Sequence, residues 1–419
     1  MNEKAILAGV QLNSNDTAFD YSMQELHELA VACELEPVGQ ITQKLPRVNN
    51  KYVIGTGKID ELLAMLTEKE ASIIIFDEEL SPMQIRNLEE KLGCDVVDRT
   101  MLILDIFSKR AKTRESQLQV EVARLKYMLP RLVGSRESLG RQGGGVGLTN
   151  RGSGETKLEL DRRKIEERIA KLNKELADVV DQRHIQRKKR QKNEQLIVSL
   201  VGYTNAGKST IMNTILDRSD GAEEKQVFEK NMLFATLETS VRHIKLETNK
   251  EFLLTDTVGF IDKLPHHLVK AFRSTLEEVT EADLLVHVID CANPNHEQHR
   301  QLTNDILQQI GAEDIPMIYA YNKADLAEVA FPIVQDDTIY MAAKQSGIKE
   351  LLQLISDHIF QNEKRYEMKF PYSEGQLISY FNEHGRVLSE EYEEDGIRMV
   401  VECSEKMARK YEKFEVSPT

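Results

Sequence analysis

Gly202-Tyr203-Thr204-Asn205-Ala206-Gly207-Lys208-Ser209 constrains this chain more than any other stretch. It follows the apolar run Leu196–Val201 and precedes a helix expected over Thr210–Leu216. A buried strand, a glycine loop and a helix N-terminus in that order make a cradle for phosphate. The backbone N–H groups from Gly202 to Gly207, with Tyr203, Thr204, Asn205 and Ala206 between them, would face the anion. Lys208 would reach the β- and γ-phosphates, Ser209 would ligate Mg²⁺, and Thr210, at the start of the helix, would also bind the nucleotide.

Three later motifs narrow the reading. Asp256-Thr257-Val258-Gly259 follows a second apolar strand, Phe252–Thr255. An Asp there holds Mg²⁺ through water, and the Gly presents its N–H to the γ-phosphate. Asn322-Lys323-Ala324-Asp325 comes directly after the strand Met317–Tyr321. The Asp325 carboxylate can accept from both N1–H and N2–H₂ of guanine, a pair of donors that adenine lacks. Ala342-Ala343-Lys344, after Ile339-Tyr340, takes the place of the loop that supports the guanine O6. Ala342 stands where a serine is usual, which weakens loop support and leaves the backbone contact available. Four motifs in this order, each at a strand end, imply a guanine-nucleotide-binding domain over residues 196–362. They argue against an ATPase or a small-molecule kinase.

The 419 residues suffice for two to four domains with ample core. No apolar run is long enough to span a bilayer, and Met1-Asn2-Glu3-Lys4 leads straight into a strand without a signal peptide. Cys33, Cys94, Cys291 and Cys403 are scattered without metal spacing, so buried free thiols and a cytoplasmic location are expected. The net charge of −14 is unevenly spread: residues 105–192 hold 23 Lys/Arg against 12 Asp/Glu, a local excess of +11. A basic middle between acidic flanks points to phosphate as a partner.

Residues 1–104 alternate strand and helix: Ala5–Val10, Tyr21–Leu35, Pro37–Thr42, Gly57–Leu66, Ser72–Asp77, a helix opened by Ser81-Pro82, then Cys94–Val97. Such alternation predicts a mostly parallel sheet covered by helices. Gly55-Thr56-Gly57-Lys58 looks like a fragment of a phosphate loop without the leading glycine or the following Ser/Thr. It reads either as a strand-to-helix turn or as a secondary phosphate contact.

Residues 105–195 are expected to form a basic helical hairpin with a glycine-rich loop. A long helical region, Asp98–Leu129, with Asp98–Phe107 and then Gln117–Arg124 as its stretches, is stopped by Pro130 in this reading. From Leu139 to Thr156 seven glycines mix with Arg141 and Arg151, close after Arg136. This is either a flexible linker or a loop that threads narrow RNA spaces, arginines on phosphates. Ile165, Ile169, Leu172, Leu176 and Val179 then recur at helical spacing, the seam of a hairpin or short coiled coil. The end of that helix carries Arg183, Arg187, Lys188, Lys189, Arg190 and Lys192, more cations than a helix C-terminus requires. RNA fits this charge better than a protein partner does. Residues 363–419 read as a small α+β domain, with a helix Glu374–His384, a strand Gly396–Cys403 and a helix Glu405–Phe414.

These residues resemble the HflX GTPases, a ribosome-associated bacterial family, over essentially the whole chain. The specific elements are Asp98-Arg99-Thr100 with the helix Ile103–Lys109, Arg114-Glu115-Ser116-Gln117-Leu118-Gln119-Val120-Glu121, and Arg151-Gly152-Ser153-Gly154-Glu155-Thr156-Lys157-Leu158-Glu159. Ser153 replaces the family's usual proline. The resemblance implies an N-terminal α/β lobe, a helical hairpin, a Ras-like GTPase domain and, in some members, a ferredoxin-like tail. It also implies GTP hydrolysis stimulated by the large ribosomal subunit and separation of stalled ribosomes under heat or antibiotic stress.

Within that expectation Thr236 resembles the switch threonine that closes over Mg²⁺ and the γ-phosphate, with Thr239 as its rival. Lys208, Thr236 and Gly259 are the catalytic candidates, and Ser209, Thr236 and Asp256 the metal candidates. Phe260 occupies the place where many GTPases carry a water-orienting glutamine, so a low intrinsic rate and activation in trans are expected. Asn205 resembles residues that help hold K⁺ against the phosphates, or it braces the loop. Arg136, Arg141, Arg151, Arg187, Lys188 and Arg190 are the candidate contacts to ribosomal RNA. A monomer is expected. Three functions compete: a ribosome-splitting factor, a large-subunit assembly or anti-association factor, and a non-ribosomal switch, which the basic middle disfavours.

Overall fold

The computed structural model describes residues 3–12, 16–134, 151–192, 195–218, 233–234, 239–246, 248, 250–263, 278–361 and 363–416. The chain divides into two units, Met1–Lys188 with Lys230–Glu238 and Gly259–Ser274, and Lys189–Glu229 with Thr239–Val258 and Thr275–Thr419.

In the first unit β1 (Lys4–Gln11) is buried along its whole interior, as a strand covered on both faces must be. It is followed by α1 (Asp16–Ala32), β2 (Glu36–Lys44), α2 (Thr56–Lys69), β3 (Ile73–Phe76), α3 (Pro82–Leu92) and β4 (Asp95–Asp98). The sheet runs β2-β1-β3-β4, all parallel. Ser81 caps α3 with a reciprocal pair to Gln84, and Pro82 takes the first helical position, where its missing N–H costs nothing. The Gly55-Thr56-Gly57-Lys58 stretch is the turn into α2: Gly55 is its N-cap, and Lys58 is paired with Glu61 at 2.5 Å.

One expectation fails beyond β4, the stop at Pro130. The helical region over 98–129 is two helices, α4 (Arg99–Arg110) and α5 (Arg114–Gly134), because Ala111 is extended and the Thr113 hydroxyl accepts from Ser116 N to start a new helix. Pro130 does not stop α5. The proline forfeits one helical hydrogen bond, but Arg131 ties the next turn down. Its guanidinium donates to the Tyr127 and Leu80 carbonyls at 2.7 and 2.9 Å and to Asp98 at 3.1 Å.

The glycine-rich reading also extends too far, since α6 (Arg151–Lys192) begins at Arg151 and includes Gly152 and Gly154. Each costs about 1 kcal/mol against alanine, a loss confined to the first turn of a 42-residue helix rich in helix-forming residues. Leu118 and Val122 of α5 pack on Leu172, with Leu125, Ile169, Leu176 and Val179 alongside. Arg114–Glu175 and Glu121–Arg168 ion pairs run in opposite chain directions, so α5 and α6 form an antiparallel hairpin.

The second unit carries a seven-stranded sheet. Its elements are β5 (Ile197–Val201), α7 (Lys208–Arg218), β6 (Ser240–Lys245), β7 (Glu251–Asp256), β8 (Leu284–Asp290), α8 (His296–Ile310), β9 (Met317–Asn322), β10 (Ile333–Gln335), β11 (Thr338–Tyr340) and α9 (Ile348–Ile359). The order is β10-β11-β9-β8-β5-β7-β6, with only β10 and β6 antiparallel to their neighbours. After β7 the chain crosses to the other side of β5, so the end of β5 is the switch point at which open α/β sheets bind ligands.

A smaller sheet, β12 (Glu363–Phe370), β13 (Arg386–Glu393) and β14 (Gly396–Ser404), is antiparallel in the order β12-β14-β13, with α10 (Gly375–His384) and α11 (Glu405–Lys410). One face buries Met368, Phe370, Ile397, Met399 and Val401 with Phe381. The expected helix to Phe414 ends at Lys410 and is followed by a separate 3₁₀ turn, Glu412–Phe414. Lys250, between β6 and β7, pairs with Glu363 at 2.6 Å and Glu402 at 3.5 Å. Cys33 and Cys403 are buried thiols, whereas Cys94 and Cys291 are half-buried, contrary to expectation. Among the described residues no helix is long and apolar enough to cross a membrane.

Candidate nucleotide-binding site

The loop from Gly202 to Gly207 leaves β5 and enters α7, and two glycines make its path possible. Gly202 has φ +140°, and a Cβ there would lie 2.2 Å from the Val288 carbonyl oxygen. Gly207 has φ +102°, and its Cβ would meet the Asn322 side-chain nitrogen at 2.2 Å. Asn205 between them is left-handed at φ 61°, a conformation asparagine tolerates better than most residues. Tyr203 stacks flat on His299 of α8, ring centroids 3.6 Å apart and 4° from parallel. His299 carries no motif, so sequence reasoning misses it. Thr204 and Ala206 are buried and Thr210 is half-buried.

Lys208 donates to the Gly202 and Tyr203 carbonyls at 3.0 and 2.8 Å. Burial pushes its ammonium down to about 8, against the opposing pull of Asp256. Ser209 Oγ donates to Asp256 at 2.7 Å, so the helix start and the end of β7 meet through a hydroxyl and a carboxylate.

The base motif is tied to the same loop. Asn322 donates to the Ala206 carbonyl at 2.9 Å and accepts from Ala343 N at 3.0 Å. Lys323, left-handed at φ 60°, pairs with Asp290 at 2.7 Å. Asp325 accepts from the Gln345 amide at 3.0 Å, an N–H₂ donor of the kind guanine offers. Gln345 is a second residue that the motifs alone do not reveal. Ala342 and Ala343 are buried, Lys344 is exposed, and the Ala342 backbone pairs with Ser346 in both directions. The loop thus holds its shape by backbone bonds where the serine hydroxyl is missing.

The structure brings Gly202–Thr210, Asp256, Asn322, Lys323, Asp325 and Ala342–Lys344 to the C-terminal ends of β5, β7, β9 and β11. Gly259 and Phe260 belong to the first unit, where Phe260 is 3% exposed. Thr236 lies outside the described residues, as do Arg136 and Arg141. Arg151, Arg187, Lys188 and Arg190 lie on α6, with side chains outside the described set. Thr239 is described and half-buried.

Comparison with known proteins bears on this geometry. Residues 20–108 match the family described as GTP-binding GTPase N-terminal, residues 110–190 the GTP-binding GTPase middle region, and residues 197–323 the 50S ribosome-binding GTPase family. The chain is 42% identical over 416 residues to a GTPase HflX of Caldanaerobacter subterraneus subsp. tengcongensis, covering 99% of this chain and 94% of that protein. It is 39% identical over 401 residues to GTPase HflX of Escherichia coli K12, covering 94% and 92%. A crystal structure of a GTP-binding protein from the archaeon Sulfolobus solfataricus in complex with GDP is 25% identical, with 86% of this chain and 98% of that chain covered and a TM-score of 0.44.

Proposed function

This chain belongs to the HflX GTPase family and binds and hydrolyses GTP, and from that premise we propose that it acts in the cytoplasm on the large ribosomal subunit, splitting stalled or stressed ribosomes. The observation that carries the ribosomal part is the match of residues 197–323 to a family described as 50S ribosome-binding GTPases. The +11 excess over residues 105–192 supports an RNA partner, with Arg136, Arg141, Arg151, Arg187, Lys188 and Arg190 as the proposed contacts. The proposed division of labour follows the chain: residues 1–104 and the basic hairpin of 105–195 engage the subunit, 196–362 handle the nucleotide, and 363–419 form a tail domain. A monomer suffices for this.

At the nucleotide, the Ser209 hydroxyl and the Asp256 carboxylate are hard oxygen donors that suit Mg²⁺. Bound there, the metal would offset charge on the β- and γ-phosphate oxygens. Lys208 exchanges the Gly202 and Tyr203 carbonyls for phosphate oxygens, and Gly259 offers its N–H to the γ-phosphate. Thr236 closes over the same group. The phenyl ring of Phe260 cannot orient water, so the ribosome supplies the missing factor, on the order of 10³–10⁵-fold in comparable trans-activated systems. Asn205 is the proposed neighbour of a K⁺ ion.

Sedimentation of purified ribosomes with the protein and GTP, or a non-hydrolysable analogue, tests this reading. Subunit separation with both nucleotides is expected, hydrolysis serving release. Binding to the large subunit while whole ribosomes survive would establish an assembly or anti-association factor instead. Failure to co-sediment in any nucleotide state would remove the ribosome from the account.

A further inference from the structure

The first residue of the phosphate loop after Gly202 is tied to a helix that carries no nucleotide motif. Tyr203 lies flat on His299 of α8, with ring centroids 3.6 Å apart, and both residues are buried. Both also belong to the second unit, so the contact is internal to it. His299 shares the buried face of α8 with Thr303, Ile306 and Leu307, at helical spacing. Packing alone does not ask for a ring there. An aliphatic side chain would simply extend the stripe that Ile306 and Leu307 continue, whereas a ring laid on Tyr203 restricts the plane of the tyrosine.

The loop needs such an anchor. Gly202 and Gly207 both have positive φ, and glycine backbone is the least restrained of any residue. The far end of the loop is held by Asn322, which donates to the Ala206 carbonyl at 2.9 Å. At the near end the Tyr203 carbonyl accepts from Lys208 Nζ at 2.8 Å and from Ala206 N at 3.4 Å. The setting of this one residue therefore bears on both the lysine and the turn. Its side chain is held by α8, which begins at His296, close after Asp290. Asp290 in turn pairs with Lys323 of the base motif at 2.7 Å.

We propose that His299 is a positioning residue for nucleotide binding, holding the phosphate loop through Tyr203 in the arrangement that receives the phosphates. The N–H groups of such a loop bind an anion well only when they already converge on it. A loop ordered in advance loses less of the binding free energy to its own ordering. The stretch from Asp290 into α8 then serves both ends of the nucleotide. Asp290 steadies the base motif through Lys323, and His299 steadies the phosphate loop through the stack.

The test titrates the full-length protein with a fluorescent GDP analogue, without ribosomes, and runs thermal melts in parallel. The inference rests on nucleotide binding by this loop, which the parent titration checks separately. His299→Leu keeps the apolar stripe and removes the ring, so its melting temperature should match or exceed the parent's. GDP affinity should nevertheless fall about fivefold, the scale of one aromatic pair. KM for GTP should rise by the same factor, with the maximal rate within about twofold of the parent's, as expected for lost uniform binding. His299→Phe should restore affinity. Tyr203→Leu should reproduce the loss, and Tyr203→Leu/His299→Leu should add nothing to it, the two rings acting as one unit. A His299→Leu protein that melts like the parent and binds GDP as tightly would overturn the proposal. So would His299→Phe binding no better than His299→Leu, since the ring would then be irrelevant. If His299→Leu does not fold, Tyr203→Leu against Tyr203→Phe decides from the loop side: weaker binding by the leucine variant is expected, and equal affinities would overturn the proposal.

Discussion

The side-chain amide of Asn322 donates to the Ala206 carbonyl at 2.9 Å, and its oxygen accepts from the Ala343 N–H at 3.0 Å. One residue of the base motif thus braces the phosphate loop and the loop of Ala342-Ala343-Lys344 against each other. The brace is buried, with Asn322 only 3% exposed, so neither bond is readily replaced by water.

Replacing Asn322 with alanine leaves the Ala206 carbonyl and the Ala343 N–H without their partner. The loss should be about 1–3 kcal/mol, a 5- to 150-fold fall in GDP affinity. Titration with a fluorescent GDP analogue measures it, and an affinity within twofold of the parent would show that the brace is dispensable.

Asp325 accepts from the Gln345 amide and is the only residue of its motif able to accept two donors from guanine. Asp325→Asn should cut GTP turnover at low substrate by about a hundredfold or more, since a polar group is left mismatched. Xanthosine triphosphate, which presents a C2 oxygen in place of the amine, should recover much of that loss. Equal discrimination in parent and variant would reject Asp325 as the base reader.

The strand-end positions of Gly202–Ser209, Asp256–Gly259 and Asn322–Asp325 were legible because each follows an apolar run and each uses residue types that few other structural roles demand. The lobe was legible for the same reason of alternation, with Ser81-Pro82 as a local cap. Other features depend on partners far away in sequence. Pro130 reads as a helix stop until Arg131 is seen tied to Leu80, 51 residues away, and to Asp98. The strands β12 and β13 stay hidden because their solvent faces are ionic. Lys369 pairs with Glu393 and Arg398 with Glu367, each at 2.7 Å, and such charges erase apolar contrast. The brace at Asn322, the stack of Tyr203 on His299 and the Arg99–Asp262 contact across 163 residues likewise leave no local pattern.

Glu78 is buried beside Asp77, and its carboxyl is pushed up to about 7, chiefly by burial. In the unfolded chain the same group titrates near 4.5. An acid with a raised folded pKa contributes fully to stability below its unfolded pKa, and that contribution is lost as pH rises through the folded one. Glu78→Gln keeps the shape and removes the charge, so it should stabilise the protein at pH 8 by on the order of 1–3 kcal/mol. The gain should shrink as the pH falls towards 5. Thermal melts at the two pH values decide it, an equal shift at both counting against the assignment.

Asn205 sits in the left-handed region at φ 61° within the phosphate loop. If it helps hold a monovalent cation against the phosphates, hydrolysis with ribosomal subunits present should run faster in K⁺ than in Na⁺, and Asn205→Ala should lose that preference. Equal rates in the two salts for the parent would leave Asn205 as a loop brace.

Lys208 should make nucleotide binding pH-dependent above neutrality. Its ammonium is pushed down to about 8 by burial, whereas a polyphosphate favours the protonated form. Below that value the free protein already carries the proton, and affinity should be flat with pH. Above it, binding must take up a proton, so apparent affinity falls as pH rises. Between pH 7 and 8.5 the expected loss of GDP affinity is about fourfold, by linkage to a single group. The window stays below the pH at which guanine itself begins to ionise. Lys208→Arg, charged throughout, should bind with no slope over the same interval. A flat profile in the parent would mean that Lys208 keeps its proton despite burial, and a slope shared by both proteins would assign the titration to another group.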